Sequence, residues 1–210
     1  MEPKTVGILE DDTKLIDNIR TYIGKTNKYK LVLSESKYED VLKKKSVVNL
    51  DYLLLDLHLK DTFGLEVIGD LFQRFGNPKI VIITGDTSEE LLYSAMRKGA
   101  ASYLSKPFSL QSIINTFENV TQYGSHLDTQ NTTLLINRIQ RNAKLSHLKT
   151  KYNLTDREVE VLNIIRKGSS YKEAAQTLGI SFHTVNDYMK SAYKKLDVNT
   201  LKELLTKYIY

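Results

Sequence analysis

Apolar and polar positions along residues 4–120 follow two alternating rhythms. Five short runs, at residues 5–9, 29–33, 53–56, 79–84 and 102–105, are almost continuously apolar or β-branched. Runs of this length between turn signals read as strands covered on both faces. Between them, residues 13–23, 38–45, 65–75, 89–98 and 110–120 space their apolar side chains by three and four, as Leu15, Ile16, Ile19 and Ile23 do. That spacing marks one buried helix face. Gly76-Asn77-Pro78 and Gly99 act as helix stops.

Five strands alternating with five helices predict a parallel, doubly wound α/β sheet, because parallel neighbours need helical crossovers. The expected order is the flavodoxin-like 2-1-3-4-5, over residues 1–121. Residues 121–133 are rich in Thr, Asn, Gln and Ser and read as linker, while Leu135, Ile139 and Ala143 predict a helix over 134–148. Residues 122–149 are therefore expected to be a part-helical connection. From residue 150 onward the pattern is all-helical. Thr155 with Glu158 three residues on forms a capping box before a helix lined by Val159, Leu162 and Ile165. A short helix over 171–178 follows, then the turn Gly179-Ile180-Ser181. A longer helix over 182–196 carries Val185, Met189, Ala192 and Leu196 on one stripe and Asn186, Lys190, Tyr193 and Lys194 on the other. Leu201, Leu205 and Tyr208 line a fourth helix. A short helix, a glycine turn and a longer helix with a polar face is the helix-turn-helix plan, so residues 150–210 are expected to form an all-α four-helix domain.

Composition narrows the setting. Hydrophobic residues make up 41% of the chain, and no run reaches the roughly 18 apolar residues of a bilayer span. Met1-Glu2-Pro3-Lys4 leads directly into a strand-like run, which predicts no secretory signal. Cysteine is absent, which excludes disulfides and thiolate metal sites and suits a cytoplasmic setting. Residues 1–120 hold 16 Lys+Arg against 17 Asp+Glu, and residues 121–210 hold 14 against 8. A polyanion is thus expected to meet the C-terminal part.

In a sheet of this order the ends of strands one, three, four and five converge on one edge, where open α/β sheets bind ligands. The sequence places Glu10-Asp11-Asp12, Asp56, Thr84 and Lys106 there. Carboxylates so close repel unless a cation sits among them, and a hard divalent ion such as Mg²⁺ suits an all-oxygen set. The arrangement fits an acyl phosphate on one aspartate, with Lys106 neutralising phosphoryl oxygens and Thr84 donating a hydrogen bond. Asp12 is also placed to cap the first helix.

The series Ile-Leu-Glu10-Asp11-Asp12, Leu-Leu-Leu-Asp56, Ile-Ile-Thr84-Gly85 and Gly99-Ala-Ala-Ser-Tyr103-Leu-Ser-Lys106-Pro107-Phe108 resembles the receiver domain of bacterial response regulators. Thr84 lies 28 residues after Asp56, and Lys106 22 after Thr84. The resemblance implies Asp56 as phosphoacceptor, with Thr84 as switch hydroxyl, Tyr103 as switch aromatic and Lys106 as phosphoryl-binding lysine. It implies Mg²⁺ held by Glu10, Asp11, Asp56 and the backbone carbonyl of His58. Pro107 stands where the family often has a cis peptide, and His58 and Asp86 where residues tune the phosphoryl lifetime.

Leu154-Thr-Asp-Arg-Glu158, Lys172-Glu-Ala-Ala175, Ile180-Ser181-x-x-Thr184-Val185 and Lys195-Leu196-x-Val198 resemble the LuxR/FixJ-type DNA-binding domain over about residues 150–206. That resemblance implies a helix 182–196 lying in the major groove. Asn186 and Lys190 would face bases or phosphates, Thr184 and Lys194 would meet the backbone, and Leu201, Leu205 and Tyr208 would pair two copies on a palindromic site. Asn186, Asp187 and Tyr188 depart from the Lys-x-His usual after Thr-Val. Together the two resemblances imply a non-enzymatic, DNA-binding response regulator, with a sensor histidine kinase as partner, double-stranded DNA as target, a homodimer as active form and no membrane association. Two other readings share parts of the pattern: a phosphorylation-independent regulator of the same fold, and an aspartyl phosphohydrolase, in which His58 would replace the expected second acid.

Overall fold

A computed structural model describes residues 2–44 and 48–209. The chain forms two compact units, residues 1–135 and 136–210. The first holds β1 (Lys4–Leu9), α1 (Thr13–Gly24), β2 (Tyr29–Glu35), α2 (Tyr38–Lys43), β3 (Tyr52–Asp56), α3 (Gly64–Arg74), β4 (Lys79–Thr84), α4 (Glu89–Arg97), β5 (Ser102–Ser105) and α5 (Leu110–Tyr123). The strands are all parallel in the order β2-β1-β3-β4-β5, as the alternation predicts. The helix expected over 38–45 ends at Lys43, and Lys45 lies outside the described residues.

Strand periodicity divides the core into two layers. Leu53 and Leu55 of β3 pack with Ile68, Leu71, Ile80, Ile82 and Tyr103 on one face. Leu54 packs with Ile8, Ile19, Ile83, Ile113 and Phe117 on the other. Both layers exclude water, which explains why the central strands carry almost no polar residue until their C-terminal ends. At the opposite end Tyr52 stacks on Phe117 at 4.2 Å between ring centres.

After α5 the structure departs from the linker reading. His126 forms a parallel bridge with Ser102, and its N–H donates to the Ala101 carbonyl at 2.9 Å. Helix α6 (Thr129–Lys151) then starts five residues before the periodic stretch begins. Asp128 caps it, accepting from the Asn131 N–H at 2.7 Å, while Leu127, Leu134 and Leu135 pack on the first core. A polar, Thr-rich segment is helical here because a cap and a few leucines settle it, which its composition hides.

The second unit contains the C-terminal part of α6, then α7 (Asp156–Ile165), α8 (Tyr171–Leu178), α9 (Phe182–Leu196) and α10 (Leu201–Leu204), which continues as a π-helical turn over Leu205–Ile209. Val161, Leu162, Ile165, Ala174, Val185, Met189, Ala192 and Leu196 form its core with Leu145 and Leu148. The small Ala174 and Ala175 let α8 and α9 approach closely. Gly179 ends α8 at φ 64°, a left-handed conformation that glycine adopts without steric cost. No helix among the described residues is long and apolar enough to cross a membrane.

Candidate functional site

The site grows from four strand ends. Glu10 follows β1 directly, with its N–H on the Glu35 carbonyl at 3.1 Å, and its side chain is fully buried. Asp56 ends β3 and is 5% exposed; Thr84 ends β4 and is buried. Lys106 follows β5, fixed by its N–H donating to the Thr84 carbonyl at 2.7 Å. Its ammonium then reaches Glu10 Oε2 at 2.7 Å and Asp56 Oδ2 at 3.3 Å. Burial alone would lower the Lys106 pKa, but its hydrogen bond to Glu10 and the charges of Glu10 and Asp56 outweigh it and raise it. Burial pushes the Glu10 carboxyl up, with the Asp56 charge adding to the effect against the Lys106 hydrogen bond. The lysine therefore stays cationic between two acids that repel each other.

Glu10, Asp11 and Asp56 each offer a carboxylate oxygen within 4.8 Å of the others. An octahedral Mg²⁺ with bonds of about 2.1 Å spans about 4.2 Å between opposite ligands, so this all-oxygen set fits that ion with small adjustments. Asp12 points away from the cluster: its carboxylate caps α1, accepting from the N–H groups of Lys14 and Leu15. His58 is exposed, its ring 5.4 Å from that of Phe63. It lies near Asp86, whose pKa is lowered by hydrogen bonds from Ser88 and by the His58 charge. The Lys106–Pro107 peptide is cis.

Thr84 and Tyr103 meet at one residue. Thr84 Oγ1 accepts from the Asp86 N–H at 3.2 Å, and the buried Tyr103 hydroxyl donates to the Asp86 carbonyl at 2.7 Å. Burial holds that phenol well above its ordinary range.

Two positioning residues have no signal in the motifs. Gly64 starts α3 against the end of β3: a Cβ there would lie 2.4 Å from the Asp56 carbonyl oxygen. Asn131, 3% exposed, donates from Nδ2 to the Tyr103 carbonyl at 3.3 Å and to Asp128 at 3.0 Å. A glycine at a helix start is a readable hint. An asparagine 28 positions after its partner is not. Asn131→Ala would strand the Tyr103 carbonyl in the core, and we expect it to lower the stability of the first unit by about 1–2 kcal/mol, read as a drop in the midpoint of its thermal unfolding.

In the second unit, Lys190 and Lys194 are exposed on α9 and Asn186 is half-buried beside them. Thr184 is engaged at the helix start, where its N–H donates to the Ser181 hydroxyl at 3.0 Å and its own hydroxyl lies 2.8 Å from that oxygen. Leu201, Leu205 and Tyr208 lie half-buried against this unit's own core, while Leu204 is the residue that goes fully inside. The Tyr208 hydroxyl donates to the Leu196 carbonyl at 2.8 Å.

Residues 6–118 match the family model "Response regulator receiver domain", and residues 152–207 match "Bacterial regulatory proteins, luxR family". The chain belongs to the LuxR-type response regulators. The regulator is 30% identical over 159 residues to the oxygen regulatory protein NreC of Staphylococcus carnosus, covering 74% of this chain and 73% of that one. It is 26% identical to the transcriptional regulatory protein YdfI of Bacillus subtilis, over 95% and 92% of the two chains. Among solved structures it is similar to RcsB from Salmonella enterica serovar Typhimurium bound to promoter P1flhDC in the presence of phosphomimetic BeF3⁻. That likeness has a TM-score of 0.61 at 19% identity, covering 97% and 96% of the chains, and concerns the fold. The regulator is thus a receiver domain followed by a LuxR-type DNA-binding domain.

Proposed function

We propose that a sensor histidine kinase phosphorylates Asp56 in the cytoplasm, and that the phosphorylated chain pairs with a second copy on a palindromic duplex read by α9. The observation that carries this is the Lys106 ammonium shared between Glu10 and Asp56, at 2.7 and 3.3 Å, on the sheet edge that also holds Thr84. An Asp56 carboxylate oxygen attacks phosphorus, the bond from phosphorus to the kinase imidazole breaks, and the imidazole nitrogen keeps the electron pair. Lys106 meets the incoming phosphoryl oxygens, so the cation that balanced Glu10 and Asp56 now balances the anhydride. Glu10, Asp11 and Asp56, with the His58 carbonyl, would hold Mg²⁺, which supplies further charge neutralisation when bound.

The readout follows from Asp86. A phosphoryl oxygen would accept from the Thr84 hydroxyl and draw that side chain toward Asp56, pulling it from the Asp86 N–H whose bond it now accepts, and the same residue's carbonyl holds Tyr103. Movement of Thr84 therefore changes how the β4–α4 turn and Tyr103 sit, a two-state element biased by local charge. In the second unit, Thr184 and Lys194 serve phosphate contacts, Asn186 and Lys190 face bases or phosphates, and Leu201, Leu205 and Tyr208 border the contact between copies.

Beryllofluoride with Mg²⁺ should tighten binding to a duplex selected from a randomised pool at least about tenfold, a coupling of ordinary size, and should double the mass seen by light scattering. Indifference of both readouts would favour the phosphorylation-independent regulator instead.

A further inference from the structure

The first residue of α9, Phe182, is 50% exposed. The helix does not need it for packing, since Val185, Met189, Ala192 and Leu196 already fill the core face. Helical spacing by four puts Phe182 on one face with Asn186 and Lys190, where it is an apolar surface among polar neighbours. The ring is also held. Tyr171 of α8 lies 6.2 Å from it at 45°, and His183 lies 5.9 Å away edge-on. Tyr171 is itself half-buried on α8, so the face it turns to Phe182 is backed by the domain. An exposed phenyl propped by aromatic neighbours has its position fixed before any partner arrives.

The N-terminal residues of a helix-turn-helix reading helix are the ones that reach base edges. In the major groove the apolar target is the thymine C5-methyl group, which phenylalanine can cover. We propose that Phe182 is a specificity residue that reads a thymine methyl in each half-site, one helical turn before Asn186. This rests on the reading of α9 as the DNA-contacting helix and adds a base preference to it. The basic surroundings, with Lys172, Lys190 and Lys194 exposed on α8 and α9, suit a polyanion carrying that methyl group.

The test uses the full-length protein treated with beryllofluoride and duplexes enriched from a randomised pool, with affinities from fluorescence anisotropy. Enriched sites should share a thymine in each half-site. Replacing that thymine by deoxyuridine removes only the methyl group and should weaken wild-type binding about fourfold per half-site, one buried methyl's worth. Phe182→Ala should bind at least about tenfold more weakly and become indifferent to the same replacement, while keeping the wild-type melting temperature. Unchanged affinity of Phe182→Ala, or undiminished sensitivity of that variant to deoxyuridine, would overturn the proposal while leaving α9 as the reading helix. Unchanged DNA affinity with lost transcription would overturn it in favour of a protein contact. If no duplex is enriched and Asn186→Ala changes nothing, the proposal fails together with the DNA-reading role of α9.

Discussion

Asp56→Asn is expected to lose acetyl-phosphate labelling in the presence of Mg²⁺, a fall of at least about 100-fold, and to keep its fold. The amide is not a nucleophile and cannot form the anhydride, so the loss is chemical. Stability moves little because two effects oppose. The Lys106 ammonium keeps its 2.7 Å bond to Glu10, and one of two mutually repelling carboxylates has become neutral. Against that, the 3.3 Å interaction of Lys106 with Asp56 weakens. The balance should lie within about 1 kcal/mol. Labelling scored by phosphoprotein gel and stability by thermal melting give the two readouts. Persistent labelling would move the phosphoacceptor elsewhere, and a collapsed melt would mean that the variant reports on folding alone.

The second large effect is in the helical unit. Glu158 is buried and takes three partners: the Thr155 N–H at 2.6 Å, the Ser191 hydroxyl at 2.6 Å and the Lys195 ammonium at 2.8 Å. Burial would raise its pKa, but these partners win and lower it from 4.5 to about 2. A carboxyl whose pKa is depressed on folding stabilises the fold at pH above its unfolded value and loses that contribution as pH falls. Glu158's contribution to the stability of residues 136–210 is therefore fully present above about pH 5 and declines between pH 4.5 and 2. Glu158→Ala removes the acceptor for all three donors and leaves Lys195 facing a gap. The expected cost is roughly 3 kcal/mol at neutral pH. Amide hydrogen exchange in α7 and α9 separates this loss from events in the receiver, and its size should shrink toward pH 2. A cost that stays flat across that range would mean packing, not the ionised network, holds α7 to α9.

Glu158 also shows what a linear reading can reach. Its bond to the Thr155 N–H is a local pattern of four residues, legible as Thr155-x-x-Glu158. Its bonds to Ser191 and Lys195 cross 33 and 37 positions and depend on how two helices pack, so no local pattern carries them. The same divide runs through the receiver. Strand order and the convergence of Glu10, Asp56, Thr84 and Lys106 follow from alternation plus the handedness and crossover rules that leave few topologies. Asn131 and the start of α6 at Thr129 were hidden because their stabilisation is tertiary: a cap at Asp128 and three leucines finding a core built by distant residues. The polar outer face of α9 was legible, whereas the support of Phe182 by Tyr171 appears only once α8 and α9 are set against each other.

The way His126 and Asn131 sit along β5 has a bearing on self-association. Open borders of parallel sheets are templates on which another chain can lay a strand, and unprotected ones invite aggregation. Here the Ala101 and Tyr103 carbonyls already accept from the same molecule. Two copies meeting at that flank would find those acceptors engaged, so the proposed pairing would be steered to side-chain surfaces, which can be made and unmade as a signal comes and goes, and away from continuous β-zippering, which is hard to reverse.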